Sequence, residues 1–193
     1  MQIVRLDHTL QLMPAAWTIG LLLSLLLVAV VTDLRSRRIP NALVLTGICL
    51  ASVAHALALR TEVPALAGTP WWAPFTGLAA GLAALMPLYL LRALGAGDLK
   101  LLAMVGAFVG APAVLWAAVY TLLAGGLLSL AVMLGRGVAA RTFANLRFLM
   151  TDWSLQWRSG RGTAMAPLDT TAARLPYALA ISAGTVMALL QTR

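Results

Sequence analysis

Long stretches of this chain carry no acidic or basic side chain, and short polar segments separate them. A helix that crosses the hydrocarbon core of a bilayer, ~30 Å thick, needs about 20 apolar residues. Windows of this length predict membrane-spanning helices. The charge-free windows run from Thr9 to Thr32, Ile39 to Leu59, Val63 to Leu91, Leu101 to Gly135 and Leu175 to Thr192.

The window from Leu101 to Gly135 is too long for one crossing, because as one helix it would extend about 52 Å at about 1.5 Å per residue. The stretch GAPA at 110–113 predicts a break, since glycine and proline both interrupt helices. We therefore expect an all-α, polytopic membrane protein with about six spanning helices in a single membrane domain, residues 1–193. The expected helices cover residues 12–32, 40–59, 72–92, 97–110, 113–134 and 175–192.

The composition agrees with a membrane protein. Hydrophobic residues make up 61% of the chain and charged residues 10%, whereas a soluble domain is about a quarter charged. So little polar surface cannot cover a water-facing domain. The single cysteine, Cys49, excludes a disulfide framework and a cysteine tetrad for zinc.

The basic residues are distributed unevenly between the predicted sides of the membrane. Six crossings place residues 33–38, 92–100 and 135–174 on one side, with 11 of the 14 Lys and Arg residues. Cytoplasmic loops collect basic residues, so we expect this side to be cytoplasmic and both termini to face outward. The net charge of +8 then reflects topology, and we expect no nucleic acid partner. The basic loop 135–174 mixes arginine with aromatic residues, which predicts association with the anionic lipid surface.

Two of the six acidic residues occupy places where a carboxylate is costly. Asp33 ends the first apolar window, and Asp98 precedes the fourth within the stretch GAGDLK. Both lie at the predicted cytoplasmic edge of the hydrocarbon, where an ionisable group suggests function. Either one alone could instead cap a helix or pair with a nearby basic residue. Their common side and depth favour a joint role, which requires the first and fourth helices to be neighbours.

If the two carboxylates converge, they form an acid–base pair. Neighbouring carboxylates cannot easily both ionise, so one holds a proton. The ionised partner can take a proton from water while the protonated one polarises a carbonyl, which is the chemistry of an aspartyl peptidase. We expect no cofactor and no metal, since no His, Cys or Glu cluster accompanies the pair. Gly95 and Gly97 would let the backbone turn sharply and let a peptide approach Asp98.

These residues resemble a known family. GAGDLK at 95–100 is similar to the GxGD signature of polytopic aspartyl proteases, in the GxGDxK form typical of prepilin peptidases, the type IV leader peptidases. TDLRSRRIPNAL at 32–43 is similar to that family's first motif, and LPYALAISAG at 175–184 resembles the closing helix of its short members. The resemblance covers nearly the whole chain.

The resemblance implies that Asp33 and Asp98 are the catalytic pair. The expected substrates are prepilins or pseudopilins, which are cut at the cytoplasmic face of the bacterial inner membrane between a short basic leader and an apolar helix. The pilus assembly machinery and the lipid bilayer are the other expected partners. The residues implied to bind substrate or support the site are Gly95, Gly97, Lys100, Arg38, Pro40 and Asn41.

The chain also departs from the bifunctional members of that family, which methylate the new N-terminus and often carry a zinc-binding cysteine tetrad. With one cysteine, it resembles the short, peptidase-only type found with tight-adherence (Flp) pilus systems. We therefore expect no methyltransferase activity.

Two other functions remain open. One is a presenilin-like GxGD protease with non-pilin substrates, which the IPN stretch and the GxGDxK form disfavour. The other is a small carrier in which Asp33 and Asp98 relay protons or bind a cation. A carrier predicts acids near the bilayer midplane, whereas these lie at the predicted cytoplasmic rim.

Overall fold

The described part of the computed structural model consists of helices and a few turns. It covers residues 3–60, 65–91, 93–135 and 176–191, with side chains from residue 16 onward. The helices are α1 (Ile3–Ser36), α2 (Asn41–Arg60), α3 (Ala73–Leu90), α4 (Ala96–Gly135) and α5 (Tyr177–Gln191). The chain divides into two units, residues 1–125 with 176–193, and residues 126–175. Of the second unit, the described part is the last stretch of α4.

Four of the described helices are long and apolar enough to cross a membrane. The qualifying segments are Ala16–Ser36, Asn41–Arg60, Ala73–Leu90 and Ala96–Gly135. Helix α5 is apolar but shorter, with 15 residues. Within the described residues, the prediction of an all-α fold with several helices apolar and long enough to cross a membrane is thus confirmed, while the number of six spans and the location of the termini stay predictions. Most of the predicted basic loop, residues 136–174, lies outside the described residues, as does Arg92.

Helix α4 is interrupted where the sequence predicts a break. Gly110 has φ 79° and ψ 171°, which is not helical, and Pro112 follows in the next turn. A side chain is disfavoured at this positive φ, and a Cβ at Gly110 would also collide with the backbone of Ala67. We call residues 96–109 the first arm of α4 and residues 111–135 its second arm.

The first arm packs against α3 at backbone distance. A Cβ on Gly77 or on Gly106 would collide with the backbone of the other helix, and one on Gly81 would lie 2.6 Å from the carbonyl oxygen of Leu102. Each helix carries a GxxxG pattern, at 77–81 and 106–110, which lets two helix backbones approach closely. Every residue from 101 to 110 is buried, as expected for a helix that is apolar on all sides.

The contacts of the first unit define two opposite ends of its helices. At one end, Asp33 of α1 meets Ala178 of α5. At the other end, His55 Nε2 lies 3.0 Å from the carbonyl oxygen of Pro70. Both sequence motifs therefore belong to the end at which α1 finishes and α2, α4 and α5 begin.

Candidate active site

Asp33 lies in the last turn of α1 and is buried, with 8% of its surface exposed. Its Oδ2 accepts a hydrogen bond from the backbone N–H of Ala178, in the first turn of α5, at 3.2 Å. The first N–H groups of a helix have no acceptor within the helix, so Asp33 satisfies a group that would otherwise be buried without a partner. Asp33 thus caps α5, a helix 145 residues away in the sequence.

Asp98 lies in the first turn of α4 and closes the glycine turn that precedes it. Its Oδ2 accepts a hydrogen bond from the backbone N–H of Gly95 at 3.2 Å. In return, the carbonyl oxygen of Gly95 accepts hydrogen bonds from the N–H groups of Asp98 and Leu99, at 3.2 and 3.4 Å. Gly95 is exposed and Asp98 is half-buried, so this turn opens toward the outside of the helix bundle.

The two carboxylates are close enough for their charges to repel each other. The charge of Asp98 also reaches the phenol of Tyr177, the first residue of α5. The structure therefore brings together the end of α1, the start of α4 and the start of α5. Two neighbouring carboxylates of unequal exposure can share one proton, which is the requirement for paired acid–base chemistry.

The two sequence motifs also contact each other directly beside the pair. Lys100 Nζ donates a hydrogen bond to Oδ1 of Asn41 at 3.1 Å, across 59 residues of sequence. A Cβ on Gly97 would lie 3.3 Å from the Cβ of Ile39, so the glycine allows the turn before α2 to pack against the start of α4. These contacts fix Asn41, Lys100 and Gly97 as a bridge between the motifs.

Arg38 and Pro40 belong to the turn between α1 and α2, and both are exposed. The carbonyl oxygen of Arg38 accepts a hydrogen bond from Ser36 Oγ at 3.3 Å. The carbonyl oxygen of Pro40 accepts one from the N–H of Leu43 at 3.1 Å, which starts α2. These contacts give both residues a part in shaping the turn.

A groove of about 370 Å³ lies next to the bridge between the motifs. It runs between α2, α3 and the first arm of α4, and Asn41 and Lys100 supply its polar lining. Its other lining residues are Ala42, Val44, Leu45, Ile48, Leu78, Leu82 and Ala103. Its largely aliphatic walls suit an apolar segment of another polypeptide.

Among the described residues, no group of three or more His, Cys, Asp and Glu side chains converges. The two carboxylates supply two oxygen-donor side chains at the candidate site, whereas a protein metal site usually offers three or four protein ligands.

The start of α5 is the part of the site that the sequence reasoning did not assign. Tyr177 and Ala178 fall in the stretch that resembles the closing helix of short prepilin peptidases, but no role at the site was predicted for them. One signal was present, because the window beginning at Leu175 follows the basic loop and so starts on the same predicted side as Asp33 and Asp98.

Comparison with known proteins gave one match. The model of the type IV leader peptidase family matches residues 20–130, which is more than half of the chain and includes both aspartates and both motifs. No curated protein and no solved structure matches the chain. Helix α5 lies outside the matched range.

Proposed function

The chain belongs to the type IV leader peptidase family, and from this membership we propose that it is a membrane-embedded aspartyl endopeptidase. Its substrates are prepilins or pseudopilins, and it removes their short basic leader at the cytoplasmic face of the bacterial inner membrane. The observation that carries the proposal is the contact between the two motifs that contain Asp33 and Asp98, made at one end of the helices by the Lys100–Asn41 hydrogen bond and by the packing of Gly97 on Ile39.

The reaction follows from one proton shared by two carboxylates. The ionised carboxylate takes a proton from water, and the water oxygen attacks the scissile carbonyl carbon while the protonated carboxyl gives its proton to the carbonyl oxygen. In the second step, the proton taken from water passes to the leaving amine, the other carboxylate recovers a proton from the gem-diol, and the C–N bond breaks. Both carboxyl groups return to their starting state.

The bridge between the motifs and the adjacent groove support this assignment of substrate. A prepilin joins a basic leader to an apolar helix, so its enzyme must contact both water and lipid at the cleavage point. Two observations support this position: Asp33 and Asp98 lie at helix ends, and Lys100, two residues after Asp98, lines a groove with largely aliphatic walls. We also propose that the chain removes leaders without methylating the product, since its single cysteine cannot form the tetrad of the bifunctional members. In this proposal it is of the tight-adherence type and serves that type's pilus assembly machinery.

The proposal is tested by co-expressing the full chain with a small prepilin from the same genome and following leader removal by gel shift. Asp33→Asn and Asp98→Asn should each reduce cleavage at least ~100-fold, the usual contribution of a general acid or base. Asparagine keeps the shape and can still accept a backbone hydrogen bond, but it cannot exchange the proton. Asp152→Asn is the control, and it should cleave like the wild type.

Each other outcome has a distinct meaning. Cleavage that survives both asparagine substitutions would exclude the carboxylate pair as the catalytic group. A wild-type chain that leaves prepilins intact but cuts other membrane peptides would favour the presenilin-like alternative. A chain without any peptidase activity would contradict the proposal as a whole.

A further inference from the structure

The two carboxylates of the candidate pair have different hydrogen-bond partners. Asp33 accepts its bond from Ala178, within a buried contact between two helices. Asp98 accepts its bond from Gly95, within an exposed turn of its own segment. The pair is therefore not symmetric. Protonation of Asp33 weakens a buried hydrogen bond to another helix, whereas protonation of Asp98 weakens an exposed hydrogen bond within its own turn.

The hydrogen bond to Asp33 is harder to replace than the hydrogen bond to Asp98. A hydrogen bond from N–H to a carboxylate is stronger than one to a neutral carboxyl, and the difference is larger in a buried contact. Ala178 is fully buried, so water cannot replace a weakened bond to its N–H. At Asp98, water can replace the bond to Gly95, because that glycine is exposed.

The position of α5 also favours a charged Asp33. The N-terminal end of a helix carries a partial positive charge that stabilises an anion in its first turn, and Ala178 lies in the first turn of α5. Asp98 receives similar help from its own helix, but at a half-exposed position, where water screens the helix dipole.

Three contacts with the second arm of α4 keep α5 in position. A Cβ on Gly184 would lie 2.7 Å from the carbonyl oxygen of Ala117 in the second arm of α4. At its far end, Tyr120 Oη donates a hydrogen bond to Gln191 Oε1 at 2.6 Å. Tyr177 packs against Gly125 at the near end, where a Cβ would lie 2.6 Å from the phenol oxygen.

We propose that the first turn of α5 is a positioning element of the active site, which holds Asp33 ionised as the base that activates water and leaves Asp98 as the acid. This rests on the proposed function and assigns the two roles within it. Asp33 takes the proton from water and later gives it to the leaving amine. Asp98 gives its proton to the carbonyl oxygen and recovers one from the gem-diol when the C–N bond breaks. The glycine turn lets Asp98 approach the peptide.

Other ionisable groups occur on the elements that meet at Asp33. These are Asp98 and Lys100 at the start of α4, Tyr177 at the start of α5, and Arg35, Arg37 and Arg38 at the end of α1 and in the turn after it. Removal of the backbone N–H at residue 178 leaves all of these side chains in the protein, and a matched ester at a neighbouring position controls for the weaker carbonyl acceptor that every ester introduces.

The test replaces Ala178 by lactic acid in the full-length chain, which exchanges the backbone N–H for an ester oxygen and keeps the side chain. The matched control places the corresponding hydroxy acid at Leu179, whose N–H bonds to the carbonyl oxygen of Pro176 at 3.3 Å in the same turn. For each protein, kcat/KM on a prepilin is measured against pH, together with the unfolding temperature. Ala178→Pro, which also removes the N–H, provides a second variant if the ester chain does not fold.

The expected result is a change in one limb of the pH profile. Without the N–H, the acidic limb, which reports the base, should move up by about one pH unit, equivalent to a tenfold change in proton affinity. The basic limb should stay in place, and the Leu179 control should move neither limb.

Three results would overturn the inference. A shift of the basic limb would mean that Asp33 is the acid. A lower rate with both limbs unmoved would mean that α5 has only a structural role. If wild-type protein fails to cleave prepilins, the proposed function fails and this inference fails with it. If the wild type is active but the ester at residue 178 leaves the pH profile of kcat/KM unchanged, the inference alone is refuted.

Discussion

At the scale of single residues, each carboxylate of the pair has a structural contact in addition to its proposed chemistry. Asp33 accepts a hydrogen bond from Ala178, and Asp98 accepts one from Gly95. The two readings of these aspartates from the sequence, as helix caps or as catalytic groups, are therefore compatible. Substitutions that keep the cap and remove the acid can separate them.

Asp33→Ala should destabilise the protein more than Asp33→Asn, although both should be inactive. Alanine leaves the buried N–H of Ala178 without an acceptor, which costs ~1–3 kcal/mol, whereas asparagine can still accept from it. The measurement is thermal unfolding in detergent, with Asp98→Ala as the comparison. Asp98→Ala should lose less stability than Asp33→Ala, because Gly95 is exposed and its N–H can bond to water. Equal unfolding temperatures for Asp33→Ala and Asp33→Asn would contradict the capping contact.

At the scale of elements, the break in α4 and the position of α5 differ in how far the sequence predicts them. The break follows from local chemistry, since Gly110 and Pro112 act on their own backbone. The role of α5 depends on which helices are neighbours. Apolar side chains face both lipid and protein in a membrane helix, so hydrophobic patterning does not reveal the packed face.

For the same reason, the sequence motifs indicated Asp33 and Asp98 but not the contact with Ala178. That contact is made by a backbone N–H, and every residue except proline carries the same group. A residue type therefore cannot signal it. The resemblance implied that Asn41 and Lys100 support the site, but it did not predict the hydrogen bond between them, since 59 residues separate the two in the chain.

The contact between α3 and the first arm of α4 predicts a strong effect of glycine substitution. Gly77→Ala and Gly106→Ala should each lower stability by ~1–3 kcal/mol, the usual cost of overpacking, because the added Cβ meets backbone that cannot rotate away. Thermal unfolding in detergent measures the loss. Gly20→Ala is the matched control, since no atom lies within 4 Å of its Cβ, and it should keep or raise the unfolding temperature. Wild-type stability in both test variants would contradict the close helix contact.

At the scale of the whole molecule, the described helices leave large apolar side chains on the outside while the first arm is enclosed. Examples of exposed residues are Leu27, Leu57, Leu90 and Leu123. An exposed aliphatic surface of this kind is typical of helices that face lipid. At about 1.5 Å per residue, the first arm extends about 21 Å, less than the ~30 Å hydrocarbon core, so its neighbours rather than lipid must cover it.

The orientation across the membrane can be tested with single cysteines. In a Cys49→Ala background, Ser36→Cys and Trp71→Cys place thiols at two exposed positions near opposite ends of the helices. We expect a membrane-impermeant maleimide to label Trp71→Cys in intact spheroplasts and Ser36→Cys only after lysis, because the basic residues favour a cytoplasmic position for the first turn. The reverse labelling pattern would mean that the active-site end faces outward.

The hydrogen bond between Asp33 and α5 has a consequence for the synthesis of the protein. Asp33 in α1 is made before α2, α3, α4 and α5, and the N–H from which it accepts a hydrogen bond is added 145 residues later. At about 5–20 residues per second, this interval lasts roughly 7–30 seconds. Asp98 is added 65 residues after Asp33 and 80 residues before Ala178. For roughly 4–16 seconds at this rate, the growing chain therefore carries both aspartates but not the helix that Asp33 caps. The buried hydrogen bond between Asp33 and Ala178 can therefore form only after the start of α5 has been made.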